Sequence, residues 1–170
     1  MKKLLLGLPI AAALLLGACG ETAVEKVDKG KTPAASEKKK DEEKKDQVYK
    51  IGDTVKINDV EYTIKSAKLS NGQQYVEPSK GKVLTIDLTA TNKSDSKVYI
   101  SSGEFNLSKG DEQLENYFAD KAHIGADLNK GKTISGVIQY DVEGPGTYEL
   151  IYTPTFSLDA KEIKWKISVK

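Results

Sequence analysis

Across residues 48–170 the sequence repeatedly alternates apolar and polar residues with a period of two. Short runs of Gly, Asn, Asp and Ser break the pattern, and an amphipathic helix cannot satisfy it. Leu84, Ile86, Leu88 and Ala90 fall on one side of an extended chain, and Thr85, Asp87 and Thr89 on the other. Ile134, Gly136, Ile138, Tyr140 and Val142 alternate in the same way with Thr133, Ser135, Gln139 and Asp141. A third set, Ile163, Trp165, Ile167 and Val169, alternates with Lys164, Lys166 and Ser168. Shorter strands are expected at 54–57, 60–69, 97–101, 104–108, 113–118 and 147–153. Within 60–69 the inward phase slips from Val60, Tyr62 and Ile64 to Ala67 and Leu69, which predicts a bulge near Ser66. One open sheet cannot bury so many half-apolar strands. The pattern therefore predicts an all-β domain of two antiparallel sheets packed face to face, with a closed antiparallel barrel as the alternative.

Two zones of different composition precede that domain. In residues 1–18, Lys2 and Lys3 lead into an apolar run over 4–16, followed by the small residues Gly17 and Ala18: the layout of a secretory signal peptide. The run is shorter than the roughly 20 residues a transmembrane helix needs, and Pro9 interrupts it. Leu16-Gly17-Ala18-Cys19 resembles the lipobox of bacterial lipoproteins, in which the cysteine sulfur receives diacylglycerol and the leader is cut just before it. That resemblance implies lipidation of Cys19. Two acyl chains, at about 0.8 kcal/mol per buried methylene, would then hold the protein on the extracytoplasmic face of a bacterial membrane. Gly20 stands where retention at an inner membrane would favour aspartate, which points to a Gram-positive surface, with an outer membrane as the alternative. Cys19 is the lone cysteine, so no intramolecular disulfide is available.

Residues 19–47 begin with Cys19 and continue through a stretch dense in Lys, Glu and Asp. Over 20–47 there are eight lysines and eight acidic residues and almost nothing to bury, which predicts a disordered, nearly neutral linker. Such a spacer would have a root-mean-square span of about 30 Å and would lift the domain off a bilayer.

The chain of 170 residues suits one folded domain of this kind, and its composition excludes several functions. Lys+Arg of 26 against Asp+Glu of 25 gives a net charge of +1, and every basic residue is lysine. Nucleic-acid binding is therefore not expected: neither a basic field nor the planar guanidinium fork is present. Cys19 is assigned to the anchor and His123 is the sole histidine, so a nucleophile with its base, or a zinc site, lacks ligands. The expectation is a non-enzyme without cofactor or metal. Asp111, Glu112, Glu115 and Asp120 cluster after a turn, but without the spacing of a calcium loop, and read as a solvated edge. Asn92-Lys93-Ser94 and Asn106-Leu107-Ser108 fit the glycosylation triplet and read as chance matches. The longer loops, 70–82 and 119–129, are the candidate recognition elements, with Tyr75, Phe118 and His123 as candidate contacts. The alternative is that Tyr75 and Phe118 cover the ends of the sandwich.

Gly144-Pro145-Gly146-Thr147-Tyr148-Glu149-Leu150 is similar to the tyrosine corner of immunoglobulin domains, with Leu150 where a core cysteine would lie. Trp165 follows this corner instead of preceding it, so the antibody-type core is absent. Tyr148 reads first as a core residue, and as a corner residue through the likeness. A separate set of segments carries a second likeness: Ile51-Gly52-Asp53-Thr54-Val55, Tyr62-Thr63-Ile64 with Ser66-Ala67, Gly81-Lys82 leading into 83–91, Asn92-Lys93-Ser94-Asp95, Lys130-Gly131-Lys132-Thr133 with Gly136, and the terminal strand. Over about 50–169 these residues resemble the bacterial extracellular family known as domain of unknown function 4352, which is similar to a secreted mycobacterial immunoprotective antigen. The resemblance implies an immunoglobulin-like sandwich, exported and often lipid-anchored, and brings no catalytic residues. The functional expectation is a surface recognition or adhesion module for a protein or cell-envelope partner. The alternative is a carrier or sensor of a small ligand or cation.

Overall fold

The computed structural model describes residues 24–27, 47–118, 123–154 and 162–170. The leader, Cys19, most of the linker and Asp120 lie outside these residues. Twelve strands are described: β1 (Val24–Val27), β2 (Val48–Lys50), β3 (Thr54–Ile57), β4 (Val60–Ser70), β5 (Lys82–Asn92), β6 (Val98–Ser101), β7 (Phe105–Lys109), β8 (Glu112–Leu114), β9 (Gly125–Leu128), β10 (Thr133–Val142), β11 (Gly146–Tyr152) and β12 (Ile163–Val169). They form two five-stranded sheets, β1-β3-β4-β5-β10 and β2-β12-β11-β7-β8, and a small pair β6-β9. The molecule is an immunoglobulin-like β-sandwich. Its pairs are antiparallel except β2, which runs parallel to β12 with Tyr49 opposite Trp165.

The alternation in the sequence maps onto the core. Leu84, Ile86, Leu88 and Ala90 of β5 are buried, as are Ile138, Tyr140 and Val142 of β10 and Ile163, Trp165 and Ile167 of β12. The phase slip in β4 is a register shift between Ile64 and Ser66. Rings from both sheets meet in the middle, with centroids 4.9 Å apart for Phe105 and Tyr152, 5.1 Å for Tyr62 and Tyr152, 5.8 Å for Tyr62 and Phe105, 5.8 Å for Tyr49 and Trp165, and 6.2 Å for Phe105 and Trp165. Such pairs contribute about 0.5–1.5 kcal/mol each beyond their area burial. Together they rival the roughly 2–4 kcal/mol that a disulfide supplies in other sandwiches. Hydroxyls tie the sheets across the core: Tyr140 donates to the Phe105 carbonyl at 3.0 Å, and the Tyr62 and Tyr152 oxygens lie 3.4 Å apart. Burial pushes the Tyr62 hydroxyl up to about 12.

The tyrosine corner is present. The buried Tyr148 hydroxyl donates to the carbonyl of Gly144, the same backward bond that defines the corner in immunoglobulin domains.

The structure corrects four expectations. Residues 24–27, assigned to a disordered linker, form β1, because Val24 and Val27 are half-buried against the otherwise open edge of β3 and Lys26 pairs with Asp53 at 2.8 Å. The loop expected over 119–129 contains β9, which pairs with β6. The strand expected over 113–118 is two segments: β8 belongs to the second sheet, after which the chain crosses to the free edge of β10. There Asp141 N donates to Glu115 O at 2.9 Å and Tyr117 N to Gln139 O at 2.8 Å. This crossing laces one side of the sandwich. Finally, Gln139 and Asp141, expected on the solvent face of β10, are buried beneath chain remote in sequence.

Candidate functional site

The chain that covers Asp141 is the loop between β4 and β5. Asp141 accepts from Ser79 N at 2.6 Å, Ser79 Oγ at 2.6 Å and Lys80 N at 2.9 Å. Burial alone would raise its carboxyl, but the Ser79 hydroxyl, the two backbone donors and the Lys80 charge outweigh that effect and hold it below its ordinary value. On the other arm of the loop, the buried Tyr117 accepts from Gln73 N at 2.9 Å and donates to Val76 O. Gly72 sits where the arms close. Its φ is +86°, and a Cβ there would lie 2.9 Å from Pro78 Cδ and 3.0 Å from the Tyr117 oxygen, so both backbone sign and space favour glycine.

The tip of this clamped loop is a tight turn in which Val76 N donates to Gln73 O at 3.2 Å. Its third residue is Tyr75, at φ 72°, with 92% of its surface exposed. That left-handed position suits Gly or Asn, and a bulky side chain there costs about 1 kcal/mol. The ring gains no burial in return. Tyr75 therefore does not cover the end of the sandwich; it projects from it.

The other candidates lie beside Tyr117. Phe118 is 70% exposed and its ring centroid is 5.3 Å from that of His123, at an interplanar angle of 49°. The structure thus brings Phe118 and His123 together. Tyr117 relates them to Tyr75, because its hydroxyl grips the Tyr75 turn and Phe118 is its chain neighbour. Tyr99 is a further exposed ring on β6. A Cβ on Gly125, two residues beyond His123, would come within 3.3 Å of its hydroxyl oxygen. The sequence pattern missed Tyr99, Tyr117, Gly72 and Asp141. The last carried a signal, an acid next to the apolar end of β10, but its partner lies 61 or 62 residues away.

An open surface depression of about 520 Å³ adjoins the base of the loop, lined by Leu69, Ser70, Asn71, Lys82, Pro145 and Lys170. Glu112, part of the acidic cluster seen in the sequence, pairs with Lys80. Among the described residues no group of three or more His, Cys, Asp or Glu is placed to hold a metal ion. No helix among them is long and apolar enough to cross a membrane. Asn92 of the glycosylation-like triplet is fully buried and makes four side-chain hydrogen bonds, so it is a structural residue.

Two sheets, a tyrosine corner and elaborated end loops define an immunoglobulin-like domain that holds together without a disulfide. The chain belongs to the family described as domain of unknown function DUF4352, which matches residues 49–163. The uncharacterized lipoprotein YcdA of Bacillus subtilis strain 168 is 26% identical over 152 aligned residues, covering 79% of this chain and 40% of that protein. This chain therefore spans about two-fifths of YcdA. The crystal structure of YcdA superposes with a TM-score of 0.56 at 23% identity, over 64% of this chain and 36% of that one. The YjhA protein of Bacillus subtilis superposes with a TM-score of 0.58 at 21% identity, over 71% of this chain and all of that one. At these identities the superpositions show a shared fold.

Proposed function

We propose that the protein is a lipoprotein held on the extracytoplasmic face of a bacterial membrane by diacylglycerol on Cys19. Its sandwich is a non-catalytic recognition module that binds a protein or cell-envelope partner through the Tyr75 loop and the adjoining Phe118 and His123 rings. The observation that carries the recognition reading is Tyr75, a large exposed ring in a strained backbone position on a loop fixed from beneath by Asp141 and Tyr117. A rigid ring loses little conformational entropy on binding, which is why exposed Tyr dominates recognition loops. The anchor is supported by the lipobox-like Leu16-Gly17-Ala18-Cys19 and by YcdA, a relative named as a lipoprotein from a Gram-positive bacterium.

Two measurements test these parts separately. A mass spectrum of the mature protein is expected to show diacylglycerol on an N-terminal Cys19; an unmodified Cys19 refutes the anchor. Binding of the labelled full-length protein to isolated envelopes is expected to weaken at least about tenfold in Tyr75→Ala, as for a central aromatic contact. Undiminished binding by that variant refutes the loop reading. A small-ligand carrier is the second reading. It is favoured by the depression beside Lys82 and Lys170, and ligand-dependent rises in melting temperature are its signature.

A further inference from the structure

We infer that the sandwich stands on the bilayer by the end that carries the Asn58-Asp59 turn, the 92–97 turn and the 129–132 turn, with the Tyr75 loop facing away from the membrane. The inference rests on lipid attachment at Cys19 and adds to it the direction in which the domain is displayed. The observation behind it is β1. If residues 20–47 were all spacer, the domain would sit at the end of a flexible stalk with no preferred face toward the lipid. Instead Val24 pairs with Ile57, immediately before the Asn58-Asp59 turn, and Val27 pairs with Thr54. The chain from the anchor thus joins the fold at that turn. From Cys19 to Val24 there are only five Cα steps, a reach of at most about 17 Å even when fully extended. Segment 28–46 does not lengthen this tether, because it connects β1, on the edge of the first sheet, to β2, on the edge of the second.

The three turns belong to one end of the sandwich. Lys93 N donates to Asp59 O at 2.8 Å, Asn92 N to Lys132 O at 3.0 Å, and Gly131 N to Asn92 O at 2.8 Å. The Asn92 amide joins them by donating to Ser96 O at 2.7 Å and Leu128 O at 2.8 Å. From that end β4 runs away for eleven residues to Ser70 and β5 returns over eleven from Lys82, so the Tyr75 loop lies about 35 Å from the turns.

The occupant of the turn end is the headgroup layer of the bilayer to which the same chain is tied, and charge is not what holds it there. Lys56 pairs with Asp59 at 2.7 Å, Lys93 with Glu61 at 3.4 Å, Lys97 with Asp127 at 2.7 Å, and Lys130 with Asp95. The face is polar and locally neutralised, so the short tether fixes the orientation, and added salt leaves it in place.

The full-length lipidated protein tests this. Cys19 carries the lipid through its sulfur, so a cysteine introduced by Asp95→Cys or by Gln74→Cys is the only thiol available for a fluorophore. Each labelled protein is placed in vesicles of phosphatidylcholine and phosphatidylglycerol bearing a headgroup nitroxide, a short-range quencher. Quenching is expected at residue 95 and not at residue 74, at low and high salt alike. Inserting about ten Gly/Ser residues after Gly20, which leaves β1 and the sandwich unaltered, is expected to abolish the difference. Equal quenching at the two sites, or a difference that survives the insertion, overturns the orientation while leaving the anchor intact. Absence of diacylglycerol from Cys19 in the same preparation overturns the anchor, and the orientation with it.

Discussion

Asp141→Ala isolates what the clamp beneath the Tyr75 loop contributes. The carboxylate accepts three hydrogen bonds, two of them at 2.6 Å, from Ser79 and Lys80. Bonds to a charged group contribute about 1.5–3 kcal/mol each, but at the rim of the sandwich water can take up the freed donors, so the net cost is about 2–3 kcal/mol. For a domain of this size that corresponds to a fall in melting temperature of about 10 °C. Amides of residues 72–81 are expected to exchange with solvent much faster in the variant, while those of β5 and β12 change only with the global stability. The effect carries a pH signature. The folded protein holds Asp141 below its ordinary value, whereas the unfolded chain protonates it near about 3.9. Its contribution is therefore fully present above that value and is lost as pH falls through the lower, folded one. The gap between parent and Asp141→Ala is expected to be full at about pH 6 and to narrow steadily below about pH 4. An unchanged melting temperature at neutral pH, or a gap that widens in acid, would refute the clamp.

Two further substitutions separate structural from displayed residues. Asn92→Ala removes four hydrogen bonds of a fully buried side chain, among them those its amide donates to the carbonyls of Ser96 and Leu128. Urea unfolding is expected to show a loss of about 3 kcal/mol with an unchanged slope, and a loss below about 1 kcal/mol would show that water replaces the amide. Tyr75→Asn places a residue that tolerates left-handed backbone at φ 72° and removes no buried contact, so a gain of about 0.5–1 kcal/mol is expected in the same assay. A destabilised Tyr75→Asn would mean that the ring supports its own loop.

Strands whose burial is decided by their own alternation were legible before the fold was known. β5, β10 and β12 each present every second side chain to a core, and even the slip at Ser66 in β4 shows in the order of residues. Tyr148 was legible through the glycines and proline before it. What escaped depends on partners remote in sequence. Val24-Glu25-Lys26-Val27 carries only two apolar side chains in a charge-dense stretch, and becomes a strand because β3, remote in sequence, offers an edge on which Val24 pairs with Ile57 and Val27 with Thr54. Gln139 and Asp141 obey the polar half of the alternation, yet the 71–81 loop and residues 115–117 fold over them. In the candidate site Tyr75, Phe118 and His123 stood out as loop rings, but the clamp that gives Tyr75 its fixed position did not, since Asp141 and Tyr117 reach it from other strands.

That clamp bears directly on why Tyr75 is where it is. A loop that merely joined β4 to β5 could relax its tip with Gly or Asn and leave the tip free to move. Here the tip is held at both arms, Gly72 lets the arms close within contact of Pro78 and Tyr117, and a charged residue is buried to fix the descending arm. All of that ordering lowers local entropy, and none of it shelters the ring at the apex. The strain is therefore separable from the fold's own needs. A residue whose replacement is expected to stabilise the domain while weakening contact with a partner is placed by what it meets, not by what lies beneath it.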